Sequence, residues 1–146
     1  MVVDEMQLLA LGEAAKDLAE VIKESNKMLR FFLIKDEQSE LQSWVLGERM
    51  AEMLLQDFSC RVEWEKEHKF GIWMVYVPEL DVWGKGDTEE EAAEDLVSAA
   101  VDYMEVFLKC IPFYFGIGRK KHLPYIVRLF LVRGNRDKIR AFLGLS

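Results

Sequence analysis

The sequence predicts an α+β protein in three segments: an α-β-β-α unit over 1–57, a β-β-β-α unit over 58–110 and a basic helical tail over 111–146. Three observations carry this. Apolar residues recur at helical spacing over 11–25, 48–58 and 88–107, separated by short runs of branched and aromatic residues. Residues 58–66 alternate strictly, Cys60, Val62 and Trp64 on one side and Arg61, Glu63 and Glu65 on the other, as a half-buried strand does. Charge then breaks sharply. Residues 58–110 hold 13 acids against 5 bases (−8), whereas 111–146 hold 1 acid against 8 bases (+7).

In order, Leu11, Ala14, Ala15, Leu18, Val21 and Ile22 mark a first helix over 11–25, stopped at Ser25-Asn26. The runs 29–34 and 41–46, joined by a polar turn at Asp36–Ser39, predict a hairpin, and after Gly47 helical spacing returns through Met50, Met53 and Leu54. The strand 58–66 is followed by 71–77, apolar on both faces and therefore central, and by a shorter strand at 82–85. Thr88-Glu-Glu-Glu91 then forms a capping box: the Thr88 hydroxyl should accept from the Glu91 amide and the Glu91 carboxylate from the Thr88 amide. Ala92, Leu96, Ala99, Ala100, Tyr103 and Phe107 give the helix beyond it one apolar stripe for a sheet. After an aromatic linker at 111–118, residues 123–132 are apolar nearly all round, with Gly134 as the expected C′ residue. Asn135 is the expected N-cap of a last helix over 136–143.

Three matched pieces, Pro78-Glu79-Leu80, Gly86-Asp87-Thr88 and Glu90-Glu91-Ala92, resemble the HicB-like antitoxin domain over about 58–109. Asp81-Val82-Trp83 departs from the small pair which that family places after its Pro-Glu-Leu. The resemblance implies a reduced ribonuclease-H-like fold. The helix-strand-strand-helix order of 1–57 resembles, more weakly, the N-terminal domain of Phd/YefM-type antitoxins, which implies dimerisation and operator binding. Together they imply an antitoxin of a type II toxin–antitoxin system, without enzymatic activity. It would neutralise a small basic ribonuclease toxin of the RelE or HicA kind by direct binding and autorepress its operon, as a homodimer or higher homo-oligomer.

Composition bounds this reading. With 51% apolar and 12% aromatic residues, 146 residues suffice for one ordinary domain or two small ones. The start of the chain carries no basic, apolar leader and no run reaches the roughly 20 apolar residues of a membrane span, so a cytoplasmic protein is expected. Cys60 and Cys110 are expected as reduced core residues. His68 and His122 lack a second ligand at zinc spacing, and Gly84-Lys-Gly86 lacks the spacing of a phosphate loop, so no metal and no cofactor is expected.

Two surfaces are candidates for partners. The tail residues Leu123, Ile126, Val127, Phe130, Leu131, Ile139 and Phe142 form an apolar anchor for a toxin groove, or else complete the chain's own core. Arg119, Lys120, Lys121, Arg128, Arg133, Arg136, Lys138 and Arg140 are candidates for phosphate contact, or else for covering the acidic body. The glutamates at 89–94 cap and solubilise their helix and would also attract a basic partner. Two alternative functions stand beside the antitoxin: a nucleic-acid-binding regulator using the basic tail, and a magnesium-dependent nuclease using Glu63, Glu65, Asp81 and Asp87.

Overall fold

A computed structural model describes residues 6–10, 18–27, 31–36 and 38–145, with the backbone alone at 6–10 and at Phe31. The chain is α+β and divides into two compact units, Met1–Leu54 and Leu55–Ser146.

Unit 1 begins with a strand that the sequence reading missed. β1 (Met6–Ala10) pairs in parallel with β2 (Phe31–Lys35), and α1 (Leu18–Lys27) lies in the connection between them. A parallel pair needs such a crossover. β3 (Gln42–Leu46) pairs antiparallel with β2, so the expected hairpin is present, within a mixed sheet ordered β1-β2-β3. The first half of the expected helix, 11–17, and residues 29 and 30 of the expected strand lie outside the described residues.

The turn closes on Asp36, whose Oδ1 accepts from the amide of Gln38 at 3.0 Å while Ser39 donates to Oδ2. α2 (Glu48–Leu55) follows Gly47, and that glycine is sterically required. A Cβ there would stand 2.5 Å from the carbonyl oxygen of Ser25, at the end of α1. The same joint satisfies the start of α2, because Asn26 Oδ1 accepts from the amide of Glu48 at 3.1 Å. Val21 and Phe32 are buried beneath α1, whereas Trp44 and Leu46 on the opposite face of the sheet are exposed.

Unit 2 contains an antiparallel sheet of β4 (Glu63–Glu67), β5 (Ile72–Val77) and β6 (Val82–Gly86), in that order. β4 starts later than the alternation predicts. Arg128 donates to the carbonyl oxygens of Phe58 and Gln56, and the amide of Arg61 donates to Glu79, so side chains satisfy backbone that a longer strand would have paired.

α3 (Glu89–Lys109) lies directly on β6 because two glycines face it. A Cβ at Gly84 would stand 2.4 Å from the carbonyl oxygen of Ala92, and one at Gly86 would stand 2.5 Å from Glu91 Cβ. Thr88 caps α3 by accepting from the Glu91 amide at 3.1 Å. The reciprocal bond falls one residue earlier than expected: Glu91 Oε2 accepts from the amide of Asp87, at 2.9 Å. Further on, Asp95 accepts from the amide of Lys85 at 2.9 Å, fastening the second turn of α3 to the edge strand.

The expected linker forms a short helix, α4 (Ile111–Gly116), and after a 3₁₀ turn at Lys120–His122 come α5 (Leu123–Leu131) and α6 (Arg136–Leu143). Asn135 caps α6 by accepting from the amide of Lys138 at 3.1 Å. Gly134, however, has no positive φ. α5 closes at Val132, and Gly144, at φ 87°, takes the left-handed position at the end of α6. There the amide of Leu145 donates to the carbonyl of Arg140 at 2.8 Å and that of Gly144 to Ala141 at 3.1 Å, a Schellman closure.

Candidate functional site

The tail residues split by what they touch. α3 has a second buried stripe, Ala93, Val97 and Met104, beyond the one facing the sheet, and α5 and α6 belong to the same core. Ile126 is 0% exposed, and Ile139 and Phe142 are buried with Leu129, Leu143 and Leu145. Burial of a side chain of this size contributes about 1.5–3 kcal/mol. Those three of the seven candidate anchors therefore hold unit 2 together. Leu123, Val127 and Leu131 are half-buried, and Phe130 is 38% exposed with the Arg133 guanidinium 3.7 Å from its ring centroid.

Most of the basic candidates are occupied within the chain. Arg140 pairs with Glu90 and Glu94, Arg136 with Glu94, and Arg119 with Asp81 at 3.2 Å. Arg128 holds the Phe58 carbonyl at 2.6 Å with its guanidinium over the Phe142 ring, and Arg133 donates to Phe130 O at 2.8 Å. Lys120, Lys121 and Lys138 stay exposed. The +7 segment thus covers part of its own acidic body, and two of the glutamates expected to attract a partner, Glu90 and Glu94, are held by Arg136 and Arg140.

The sheet of unit 2 supplies a different surface. Gly84, Gly86, Val75, Val77 and Val82 face α3, so strand alternation places Ile72, Met74, Tyr76, Trp83 and Lys85 on the other side. β4 adds Glu63, Glu65 and Glu67 to that side, through the pairs Glu63↔Tyr76, Glu65↔Met74 and Glu67↔Ile72. Trp83 is 51% exposed and stacks on Tyr76 with ring centroids 4.1 Å apart.

The stack is tied down. The Tyr76 hydroxyl donates to Asp81 Oδ1 at 2.9 Å, which raises the phenol above its ordinary range. Asp81 sits at φ 52° in the four-residue turn whose Leu80 is fully buried. Its other oxygen takes Arg119, which also donates to the Tyr103 hydroxyl at 3.4 Å. That hydroxyl is hydrogen-bonded to His122 Nδ1 at 2.7 Å. His122 is 4% exposed, and burial, followed by Arg119 and Lys121, holds it below the ordinary histidine range. One chain of hydrogen bonds therefore joins the open sheet face to a buried imidazole.

Asp81 is thus occupied by Tyr76 and Arg119, and among the described residues no three His, Cys, Asp or Glu side chains converge to hold a metal ion. A cleft of about 370 Å³ lies beside the same turn, lined by Phe58, Arg61, Pro78, Glu79, Lys121 and Tyr125. It is bridged by the Arg61–Glu79 ion pair at 3.6 Å. Cys60 is partly buried and its thiol is pushed up to about 12, chiefly by burial. Cys110, expected in the core, is exposed instead, because it falls at the break between α3 and α4. No helix among the described residues is long and apolar enough to cross a membrane. Sequence reading missed Tyr76 and Trp83 as a pair. Their signal was present in the register of two aromatics either side of a four-residue turn.

Comparison with known proteins gives two matches. Residues 6–143 match a family described as PHD-like, antitoxin of toxin–antitoxin, RelE/RelB, TA system. A crystal structure from Syntrophomonas wolfei subsp. wolfei, described as an antitoxin part of an inferred toxin/antitoxin system, shares the fold at a TM-score of 0.78 and 20% identity. It covers 97% of this chain and 99% of that one. Comparison with curated proteins returns no match.

Proposed function

The chain belongs to the PHD-like antitoxin family of RelE/RelB toxin–antitoxin systems, and from that premise we propose that it silences a small basic ribonuclease toxin by binding it directly. The observation that carries this reading is the extent of the family match, which spans both units. A non-enzymatic role accords with the sites described: Asp81 is engaged by Tyr76 and Arg119, while Glu63 and Glu65 are spread along one edge strand. The toxin is of the RelE or HicA kind. The HicA alternative rests on the resemblance of residues 58–109 to the HicB-like domain and is supported by the β-β-β-α order there and the Thr88 cap.

We assign unit 1 to self-association. Its sheet is covered by a helix on one face, while Leu33, Trp44 and Leu46 share the other, and a second copy presenting the same face would bury them. Of the tail residues, Leu123, Val127, Phe130 and Leu131 keep accessible surface for a toxin, whereas Ile126, Ile139 and Phe142 are withdrawn into the core. Autorepression would draw on the exposed Lys120, Lys121, Lys138 and Arg133, none of which has a carboxylate partner among the described residues.

The test is to tag the chain, purify it from its native host at moderate salt and identify what accompanies it by mass spectrometry. A stoichiometric small basic protein whose ribonuclease activity is blocked in the complex supports the reading. Nucleic acid alone, lost steeply with salt, replaces it with the DNA-binding regulator.

A further inference from the structure

We propose that the open face of the β4-β5-β6 sheet is the docking surface for the basic partner, with Tyr76 and Trp83 as the anchor and Glu63, Glu65 and Glu67 as the cation-binding rim. The proposal rests on the antitoxin reading above and specifies where that contact is made.

Three observations lead to it. First, the sheet is asymmetric: one face lies against α3 at a distance only glycine allows, while the other carries Ile72, Met74 and Tyr76 half-exposed and Trp83 51% exposed. Second, the aromatic pair is already fixed. Tyr76 is stacked on Trp83 and bonded to Asp81, and Asp81 is bonded to Arg119, so little side-chain freedom remains to be lost on binding. Tyrosine and tryptophan so held are the residue types that dominate interface energies.

Third, the acids beside this pair are uncompensated. Glu79, Asp81, Glu90 and Glu94 each have an arginine partner, but among the described residues no cation pairs with Glu63, Glu65 or Glu67. Strand geometry spaces these three carboxylates about 7 Å apart in a row, where they repel one another. Lys85, on the same face, lies two strands away on β6. Cations brought by a partner relieve this repulsion. A nucleic acid would intensify it, so the sign of the rim selects protein. A protein that grips RNA phosphates is rich in Lys and Arg, which is the complement required.

The experiment uses the full-length chain and the basic protein that co-purifies with it, identified by mass spectrometry and purified separately. Trp83→Ala should raise Kd about 30-fold or more. Glu63→Lys with Glu65→Lys should slow association about tenfold at low ionic strength, with the deficit shrinking as salt is added. Phe113→Ala, at an exposed residue of α4 that belongs to neither candidate surface, should leave both quantities unchanged. All three alter exposed side chains, and unchanged thermal unfolding shows that the fold is intact. If the sheet variants bind within about twofold of the parent, the surface assignment is overturned and the antitoxin reading stands; loss on Phe130→Ala alone would move the contact to the tail. If no protein binds the parent chain, both readings fall.

Discussion

The two units each build a three-stranded sheet, yet they treat its apolar surface differently. In unit 2, 17 buried residues form one cluster, because α3 covers the sheet and α5 and α6 complete the core with it. In unit 1 the buried apolar side chains among the described residues are Val21 and Phe32, and Trp44 is 55% exposed. The difference is one of layers. A sheet with helices on one side closes a core of its own only when that side is thick enough, and unit 2 obtains the thickness from the segment that carries the charge reversal. Unit 1 has no such third layer among its described residues, and the self-association proposed above would supply one.

The strongest test of this contrast is Gly84→Val, which forces α3 off β6. It should cost about 3 kcal/mol or more and remove the unfolding transition of unit 2, followed by urea titration, while the circular dichroism of unit 1 persists. Ile126→Ala should cost about 2–5 kcal/mol in the same titration, whereas Phe130→Ala should cost under about 0.5 kcal/mol. Equal and small effects would mean that the tail is not core. In unit 1, Trp44→Lys should weaken self-association about 30-fold in sedimentation velocity without loss of helix. Thr88→Ala should lower unit 2 stability by about 1 kcal/mol, through one lost cap.

The smallest effect is on pH. His122 titrates below its ordinary 6.5 in the folded chain, so between those two values the unfolded state binds more protons. Its contribution to stability is therefore present above 6.5 and is lost as pH falls toward the folded value. Urea midpoints at about pH 7.5 and about pH 5.5 should differ more for the parent than for His122→Gln.

Local chemistry was legible in the sequence wherever it determines structure by itself. The Thr88 cap, the Asn135 cap, the bounds of α6 and the central placement of β5 follow from a few adjacent residues. What was not legible depends on distant partners. β1 pairs with a strand 25 residues away, and nothing in Met6–Ala10 distinguishes it from an apolar stretch of another kind. The late start of the 58–66 strand is set by Arg128 and Glu79, which lie far along the chain. The apolar girdle of 123–132 was recognised as needing cover, but the choice between partner and own body depended on the second stripe of α3. The candidate surface was half visible: the acid alternation of β4 was plain, whereas the Tyr76–Trp83 stack needed the register.

The closure at Gly144 also bears on the order of events during synthesis. A Cβ there would stand 3.2 Å from the carbonyl oxygen of Cys60, and Leu145 is buried, so the first and last stretches of unit 2 meet. A chain emerging residue by residue cannot seal this unit until Leu145 has appeared, because every earlier length lacks part of the core. Unit 1, by contrast, is complete in sequence at Leu54. Vectorial folding therefore gives unit 1 a head start over the unit proposed to meet the toxin.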